Sequence, residues 1–339
     1  MRYIIIGAGA IGGTIGGRLY EHGFEVVLVA RGAHGAALRT GGLRLSTPEG
    51  VRALPIPTVT GPGEIDLRPD DVLILAVKTQ HSQAALTEWA SRPVSVTDTG
   101  IGGGTAGQLL PVVCAQNGVE NERLALRHFR RVYGMCVWLP STHLEPGRVS
   151  ASGAPLSGIL HLGRYPSGSD DTARQISADL EKSLFGAPVR EDVMRWKYGK
   201  LLGNVGNALE AVAGPVTDGL RLAVYHRARA EYEAVLRAAG IPYATVEEQD
   251  AERRDRIELR PLEGEERVGG SSTQSLVRGT GSIETDYLNG EVVLLGRLHG
   301  VPTPANEALQ LLAEEFARTG RPPGSLPEEE LAALAGPGS

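Results

Sequence analysis

A glycine motif directly after the first apolar run constrains the fold more than any other feature of the chain. Tyr3–Ile6 is a short apolar run, typical of a strand buried on both faces, and Gly7–Gly12 (GAGAIG) follows it. A helical pattern then runs from Ile11 to His22, and Glu25–Ala30 has the pattern of a second strand. A strand, a glycine turn, a helix and a strand in this order predict a dinucleotide-binding βαβ unit.

The glycines of this motif have separate roles. Gly7 permits the tight turn, Gly9 lets the backbone approach a pyrophosphate, and Gly12 allows the helix to pack closely on the sheet. The pyrophosphate is expected at the helix N-terminus, where backbone N–H groups and the helix dipole favour negative charge. The predicted cofactor loop is therefore Gly7, Ala8, Gly9, Ala10, Ile11 and Gly12.

The residue after the second strand distinguishes NAD from NADP. Enzymes that use NAD usually place an acid there to bind the ribose 2′-hydroxyl, whereas this chain has Arg31. An arginine can pair with a 2′-phosphate that an acid would repel. The sequence thus predicts NADPH/NADP as cofactor, and the alternative is that Arg31 is a solvated loop residue.

Further strands predict an α/β fold with a Rossmann-type, doubly wound and mostly parallel sheet in the N-terminal half. The predicted strands are Asp71–Val77, Val94–Thr97 and Pro111–Ala115. Three later strands are expected to extend the sheet in antiparallel fashion: Met135–Leu139, Gly147–Ser150 and Gly158–Leu162. Because ligands bind at the carboxyl ends of parallel strands, Lys78 and Asn117 are candidate site residues, although each could be an ordinary loop residue.

After about Pro188 the pattern becomes helical, which predicts an all-helical C-terminal domain. The predicted helical segments are Val193–Val212, Leu220–Ala239, Ser282–Gly300 and Pro304–Arg318, and the charged segment Glu247–Leu262 is expected to be a solvated helix and loop. The predicted domains are residues 1–188 (NADP binding), 189–320 (substrate and catalysis) and a flexible Pro/Gly-rich tail, 321–339.

Composition excludes several classes of partner. The 339 residues carry a net charge of −6, which argues against a broad nucleic-acid or anionic-membrane surface. No apolar run is long enough to span a bilayer, and the N-terminus lacks the pattern of a signal peptide, so we expect a cytoplasmic protein. Cys114 and Cys136 are expected to be buried thiols, and no Cys/His cluster has the spacing of a metal site.

Lys200, Asn204 and Asn207 form a candidate catalytic stripe. Their i, i+4, i+7 spacing places them on one face of a helix, and asparagine is a mediocre helix former. The alternative is a solvated polar face. Farther on, the hydroxyl-rich Gly269–Ser275 is expected to be a loop, and Glu284 is expected to open a helix, where it could simply complement the dipole.

These motifs, taken in order, resemble the ketopantoate reductases (2-dehydropantoate 2-reductases) from Met1 to about Arg318. The resemblance rests on IIIGAGAIG, AVKTQ, AQNGVENE, STHLEPG, KLLGN and ETDYLNGEVV…HGVPTP. It implies a Rossmann domain and a helical domain with the site in the cleft between them, NADPH-dependent reduction of a 2-oxo acid, and a place in pantothenate biosynthesis. A possible homodimer is left open, because apolar positions in Leu288–Leu298 and Leu309–Phe316 suit either an interface or, preferably, the domain core.

The resemblance also implies residue roles. Lys200 matches the general acid, and Glu284 matches the glutamate that positions lysine and substrate. Asn117 matches the asparagine near the nicotinamide and Lys78 the lysine near the cofactor. The positions implied to bind substrate are Asn117, Asn204, Asn207 and Ser272.

Three departures from the family pattern lie on the substrate side. The family usually has a second asparagine four residues after the first. Here that position is Ala208, and the second asparagine is Asn207, one residue earlier. Gly269-Gly270 replaces an asparagine before the serines, and Ser275 replaces an aspartate, so Ser271 could take the role of Ser272. Reduction of another 2-oxo acid or ketone, and a non-catalytic NADP(H)-binding regulator, therefore stand as alternatives to ketopantoate reduction.

Overall fold

A computed structural model of the chain describes residues 1–95, 103–217, 219–264 and 268–335. The chain divides into two compact units. The first unit comprises Met1–Gln116, Glu120–Met194 and Asp250–Glu266, and the second unit comprises Asn117–Val119, Arg195–Gln249 and Arg267–Ser339. The domain boundaries at residues 188 and 320 stay predictions, but the segment 250–266 groups with the first unit rather than with the helical one.

Strands and helices alternate through the first half of the chain. In order they are β1 Arg2–Ile6, α1 Ala10–Glu21, β2 Glu25–Val29, α2 Gly32–Gly41, β3 Leu43–Thr47, β4 Gly50–Leu54, β5 Thr58–Val59, β6 Asp71–Leu75, α3 Ser82–Ala90, α4 Ala106–Leu109, β7 Pro111–Cys114, α5 Asn121–Leu126, β8 Arg131–Trp138, β9 Ser141–Thr142, β10 Arg148–Ala151, β11 Gly153–Pro155, β12 Gly158–Arg164, α6 Asp171–Lys182 and β13 Phe185–Gly186. Short 3₁₀ helices lie at Pro62–Glu64 and Thr79–His81.

The later elements are mostly helical. They are α7 Val193–Asn204, α8 Gly206–Ala213, α9 Gly219–Ala239, α10 Val246–Arg253, β14 Ile257–Leu259, α11 Ser271–Val277, the 3₁₀ helix Thr285–Tyr287, α12 Asn289–His299, α13 Pro304–Thr319 and α14 Glu328–Ala335. The predicted fold class, a parallel-dominated sheet followed by a helical C-terminal part, is confirmed.

Within the described residues, the main sheet has the order β13-β12-β8-β7-β6-β1-β2-β5. Neighbouring strands from β8 to β5 are parallel, and β12 is antiparallel to β8. Alternate residues of β1 enter opposite cores: Tyr3 and Ile5 pack on one face and Ile4 and Ile6 on the other, as the period of two requires. Burial on both faces explains the continuous apolar runs that the sequence displays.

Two strand predictions were wrong in part. β10, predicted at Gly147–Ser150 as an extension of the main sheet, lies instead in a separate sheet with the order β4-β3-β10-β9 and pairs in parallel with β3. β8 is parallel to β7, not antiparallel. Val94 forms only an isolated bridge with Leu67, and the rest of the predicted strand Val94–Thr97 lies largely outside the described residues.

The charged segment after α9 is not simply solvated, which corrects the prediction for Glu247–Leu262. β14 pairs in antiparallel register with β11, so Ile257 lies opposite Pro155. Glu252, near the end of α10, forms ion pairs with Arg190 and Arg256. Cross-strand hydrogen bonds and these ion pairs attach the segment to the first unit. The local sequence pattern does not predict β11 or Arg190 as partners, because both are distant in sequence.

These charges surround a fully buried histidine on β12. The His161 ring lies edge-on to Trp138, with ring centroids 4.8 Å apart, and its Nε2 is 3.5 Å from a carboxylate oxygen of Glu252. Burial, with the positive charges of Arg190 and Arg256, lowers the pKa of His161 to about 3. Because the two guanidiniums already balance Glu252, its single carboxylate does not offset the effect of burial.

Stability should therefore fall on mild acidification. An unfolded chain protonates His161 near pH 6.5, whereas the folded chain does so only near pH 3, so protonation favours unfolding within this window. From pH 7 to pH 5 we expect His161 to remove about 2 kcal/mol of unfolding free energy. Urea titrations should show that loss in the wild type and not in His161→Phe, with His81→Gln, at an exposed position, as control. Equal pH dependence in His161→Phe and the wild type would contradict the prediction.

The helices of the second unit contribute buried apolar residues to its core. Most of the apolar positions for which a core role was preferred are buried, among them Leu288, Val292, Leu309 and Phe316. Leu298 is exposed. No helix in the described part of the chain is long and apolar enough to cross a membrane. Both cysteines, Cys114 and Cys136, are buried as expected.

The described part of the C-terminal segment contains a helix, and its flexibility stays a prediction. α14 packs against α9, with Leu331 only 1% exposed, and the backbone N–H groups of Gly324 and Leu326 donate to carbonyls of α8. Residues 324–335 therefore contact α8 and α9 through backbone hydrogen bonds and a buried leucine.

Candidate functional site

The glycine loop of the first unit has the shape of a phosphate cradle. Gly7 has a φ of +102°, and a Cβ there would lie 2.7 Å from the backbone nitrogen of Val77. A Cβ on Gly12 would lie 2.0 Å from the carbonyl oxygen of Gly7, so the close approach of helix to loop requires glycine. At Gly9 an added Cβ would meet nothing nearer than His143, at 3.9 Å. The space before the N-terminus of α1 thus accommodates a pyrophosphate, and the loop fits a dinucleotide.

A histidine that the sequence reasoning missed holds this loop. His34 Nε2 lies 2.8 Å from the carbonyl oxygen of Ala8, and the Gly147 N–H donates to His34 Nδ1. Nε2 therefore carries the proton, and burial lowers the pKa of the ring although the Ala8 carbonyl opposes that shift. Ala10 and Ile11 then begin α1. Nothing in the local sequence pattern marks His34, because its partners come from distant loops.

Arg31, the predicted 2′-phosphate residue, follows β2 and immediately precedes α2. Its Nε donates to the carbonyl oxygen of Thr60 over 2.8 Å, and its Nη2 donates to Glu88 Oε2 over 2.6 Å. The Arg31 side chain is 66% exposed and that of Glu88 43%. The cation is thus accessible, and it has an acidic partner on α3 that the sequence reasoning did not foresee.

A buried polar network joins the chain segments that follow β6 and β7. Asn121 Nδ2 donates to Thr79 Oγ1, Ser82 Oγ donates to Asn121 Oδ1, and Gln116 Nε2 donates to Ser82 Oγ. Lys78, half-buried, lies directly before Thr79. The network fixes the backbone beside Lys78 and just before residue 117, at the carboxyl edge where ligands of such sheets bind.

In the second unit, the predicted general acid has a defined partner. Lys200 Nζ on α7 donates a hydrogen bond to Asn117 Oδ1. The next residue, Gly118, has a φ of +77°, and a Cβ there would lie 2.7 Å from the carbonyl oxygen of Tyr287. Tyr287 ends the 3₁₀ turn that follows Glu284. Three predicted residues, Lys200, Asn117 and Glu284, therefore belong to connected parts of this unit.

Glu284 precedes a 3₁₀ turn instead of opening the α-helix predicted there; α12 begins only at Asn289. Its carboxylate interacts with the guanidinium of Arg278, which follows α11. Burial lowers the pKa of Arg278, and the charge of Glu284 opposes that shift. Arg278 is a further half-buried cation of this region, and sequence reasoning missed it because a lone arginine near a helix end is ordinary.

The predicted continuous helix Val193–Val212 is interrupted. α7 ends at Asn204 and α8 begins at Gly206, so Lys200 and Asn204 share one helix while Asn207 lies beyond the break. Asn289 Nδ2 donates to the carbonyl oxygen of Val205 over 2.9 Å. This partner from another helix satisfies a backbone group at the break.

Asn289 is also part of a buried amide network. It donates to Asn306 Oδ1 over 3.1 Å and lies 3.5 Å from the hydroxyl of Thr285. Asn306 Nδ2 in turn donates to Glu231 on α9. The network fixes the helix break relative to the turn after Glu284, and apart from the Thr285 contact its hydrogen bonds join residues far apart in sequence.

The serine segment is a short helix, α11, rather than the predicted loop. Ser272 is buried and Ser271 half-buried, and the Ser275 hydroxyl donates to the carbonyl oxygen of Ser271. Ser272 is therefore held inside the unit, whereas Ser271 is the more accessible of the two.

The second of the two glycines before the serines, Gly270, accommodates a carboxylate. The Gly270 N–H lies 3.2 Å from Oε2 of Glu210 on α8, and a Cβ on Gly270 would lie 2.7 Å from that oxygen. The same Cβ would be 3.9 Å from Oδ1 of Asn207. Glu210 was missed because a glutamate three residues after Asn207 looks like an ordinary surface residue.

Comparison with known proteins agrees with this architecture. Residues 3–167 match the family "Ketopantoate reductase PanE/ApbA", and residues 192–316 match its C-terminal family. The 2-dehydropantoate 2-reductase of Pyrococcus horikoshii is 27% identical over 93% of this chain and 97% of its own length. That of Mesorhizobium japonicum is 28% identical over 94% and 98%.

Solved structures are similar as well. A PanE/ApbA family ketopantoate reductase from Ralstonia eutropha has a TM-score of 0.75 and 26% identity, covering 95% of this chain and all of its own. A D-mandelate dehydrogenase solved with NADH and anilino(oxo)acetate has a TM-score of 0.76 at 20% identity, covering 94% of this chain and 99% of its own, which shows the fold alone. The chain therefore belongs to the ketopantoate reductase family, a family of pyridine-nucleotide-dependent oxidoreductases.

Proposed function

We propose that this protein reduces a 2-oxo acid to a 2-hydroxy acid with NADPH, and that the acid is 2-dehydropantoate, the product pantoate. The observation that carries the proposal is the hydrogen bond from Lys200 Nζ to Asn117 Oδ1, in a region that also contains Glu284. Carbonyl reduction needs a proton donor from the protein, and an ammonium group positioned on a helix can act as that donor.

The proposed chemistry has two parts. Bound NADPH supplies the hydride for the carbonyl carbon. As negative charge develops on the carbonyl oxygen, the Lys200 ammonium stabilises it and then donates its proton. Asn117, by accepting a hydrogen bond from Nζ, restricts the directions in which the ammonium can point. Glu284 contributes negative charge that favours the protonated lysine.

The proposed cofactor contacts are the loop Gly7–Gly12, Arg31, Lys78 and Asn117. The open space at Gly9 and the accessible guanidinium of Arg31 support this assignment. An arginine after β2, where NAD enzymes usually have an acid, favours NADPH over NADH.

The proposed substrate contacts are Asn117, Asn204, Asn207 and Ser272. A second candidate is reduction of a different 2-oxo acid or ketone, and one observation favours a ketone without a carboxylate: Glu210 approaches Gly270, next to Asn207, and adds a negative charge on the proposed substrate side. A carboxylate there would disfavour a closely approaching anionic substrate.

Loss of NADPH absorbance with a panel of 2-oxo acids and ketones tests the proposal. We expect the highest kcat/KM with 2-dehydropantoate, and higher kcat/KM with NADPH than with NADH. A better substrate elsewhere in the panel would establish the second candidate. Tight NADPH binding without turnover of any compound would instead indicate a non-catalytic regulator. A homodimer stays a prediction.

A further inference from the structure

Glu88 forms an ion pair with Arg31, the residue that we propose to bind the 2′-phosphate of NADPH. Arg31 Nη2 donates to Glu88 Oε2 over 2.6 Å, and Arg31 Nε is bound to the Thr60 carbonyl over 2.8 Å. Two of the three guanidinium nitrogens are therefore engaged by the protein, one of them by a carboxylate. A 2′-phosphate bound to either bidentate edge of the guanidinium would share Nη2 with Glu88.

The helix that carries Glu88 is anchored in the first unit. On α3, the neighbouring Leu86 and Trp89 are each 1% exposed, so the helix is anchored in the core of the first unit. A Cβ on Gly61 would lie 3.2 Å from Glu88 Oε1 and 3.4 Å from Arg31 Nη2, so the ion pair packs directly over this glycine. The two side chains therefore meet above Gly61, with the Glu88 backbone anchored by a buried helix face.

We propose that Glu88 is a specificity-determining residue: by occupying Arg31 it narrows the difference in affinity between 2′-phosphorylated and unphosphorylated dinucleotides. A 2′-phosphate carries nearly two negative charges at neutral pH, so the Glu88 carboxylate on Nη2 repels it, and pairing through Nε and Nη2 would require displacement of that carboxylate. A cofactor without that phosphate leaves the ion pair intact. The inference rests on the proposed NADPH site, and it concerns a residue outside the glycine loop and the strand end that sequence motifs identify.

Calorimetric titration of the full chain with two fragments, 2′,5′-ADP and 5′-AMP, tests this without any turnover. Glu88→Gln keeps the size of the side chain and removes its charge. We expect it to tighten 2′,5′-ADP binding roughly fivefold, the scale of an exposed ion pair, and to leave 5′-AMP binding unchanged. In the Arg31→Ala background the gain should largely disappear, because the two substitutions act on one interaction.

Glu64→Gln is the matched control. Its carboxylate also lies beside Thr60, but it accepts hydrogen bonds from the Thr60 N–H and hydroxyl instead of pairing with Arg31. An equal gain from Glu64→Gln, an equal gain for 5′-AMP, or a full gain without Arg31 would each overturn the proposal.

Failure of the inference and failure of the proposed function are distinguishable. If 2′,5′-ADP binds the wild type through Arg31 but Glu88→Gln has no effect, the inference alone is wrong. If neither fragment binds the wild type, the proposed dinucleotide site is itself wrong, and the inference falls with it.

Discussion

Lys200→Ala is expected to lower kcat by about 10²–10⁴-fold, the usual contribution of a positioned general acid. The variant loses the ammonium that hydrogen-bonds Asn117, so nothing in this position stabilises or protonates the developing oxyanion. NADPH binding, which we propose to depend on the glycine loop and Arg31 of the first unit, should persist. Steady-state turnover and a separate calorimetric titration with NADPH measure the two effects.

The controls separate chemistry from folding. Lys182→Ala removes an exposed lysine from α6 and should leave turnover unchanged. Asn117→Ala should lower kcat as well, and the double variant should lose less than the product of the two single effects, because both residues act through one hydrogen bond. Near-normal turnover of Lys200→Ala with the best substrate would refute its role as acid.

Gly118→Ala is expected to reduce kcat by about 10²-fold, because small misplacements of a catalytic group have effects of that size. The added methyl group would lie 2.7 Å from the Tyr287 carbonyl oxygen at a φ of +77°, so the backbone must move. Asn117, its direct neighbour, would move with it, and so would the oxygen that aims Lys200. The positive φ alone should lower the free energy of unfolding by about 1–2 kcal/mol.

Gly240→Ala provides the matched comparison. Gly240 has a φ of +65°, but a Cβ there meets nothing within 4 Å. Both variants should lose about 1–2 kcal/mol of unfolding free energy from the positive φ, and Gly118→Ala should lose more because of its contact with Tyr287. Urea titration measures these losses, and only Gly118→Ala should lose turnover. Equal turnover of the two variants would show that the Tyr287 contact does not position the site.

Local patterns predict what local forces determine. The turn at Gly7 and the packing of Gly12 follow from the glycine motif, since both glycines contact neighbouring backbone or the adjacent strand. Likewise the spacing of Lys200 and Asn204 correctly places them on one helix, because a period of four residues needs no tertiary information.

The parts that sequence reasoning missed depend on distant partners. The helix break at Val205 is stabilised by Asn289, and Glu210 reaches the N–H of Gly270. Glu88 likewise acts on Arg31 from another element of the first unit. Such pairs leave no periodic trace in the sequence, because each member alone suits an ordinary helix surface or core.

The late return of the chain to the first unit has a consequence for folding during synthesis. β11 pairs with β14, and Gly153 lies opposite Leu259. β11 therefore gains its partner strand only after helices α7–α10 have been synthesised. Until then, the β11 edge of the nascent first unit is unpaired by β14, and an unpaired strand edge can pair with other chains. Cotranslational folding therefore cannot proceed strictly from the N-terminal unit to the C-terminal one, and a chain released after Met194 would lack the strand that covers this edge.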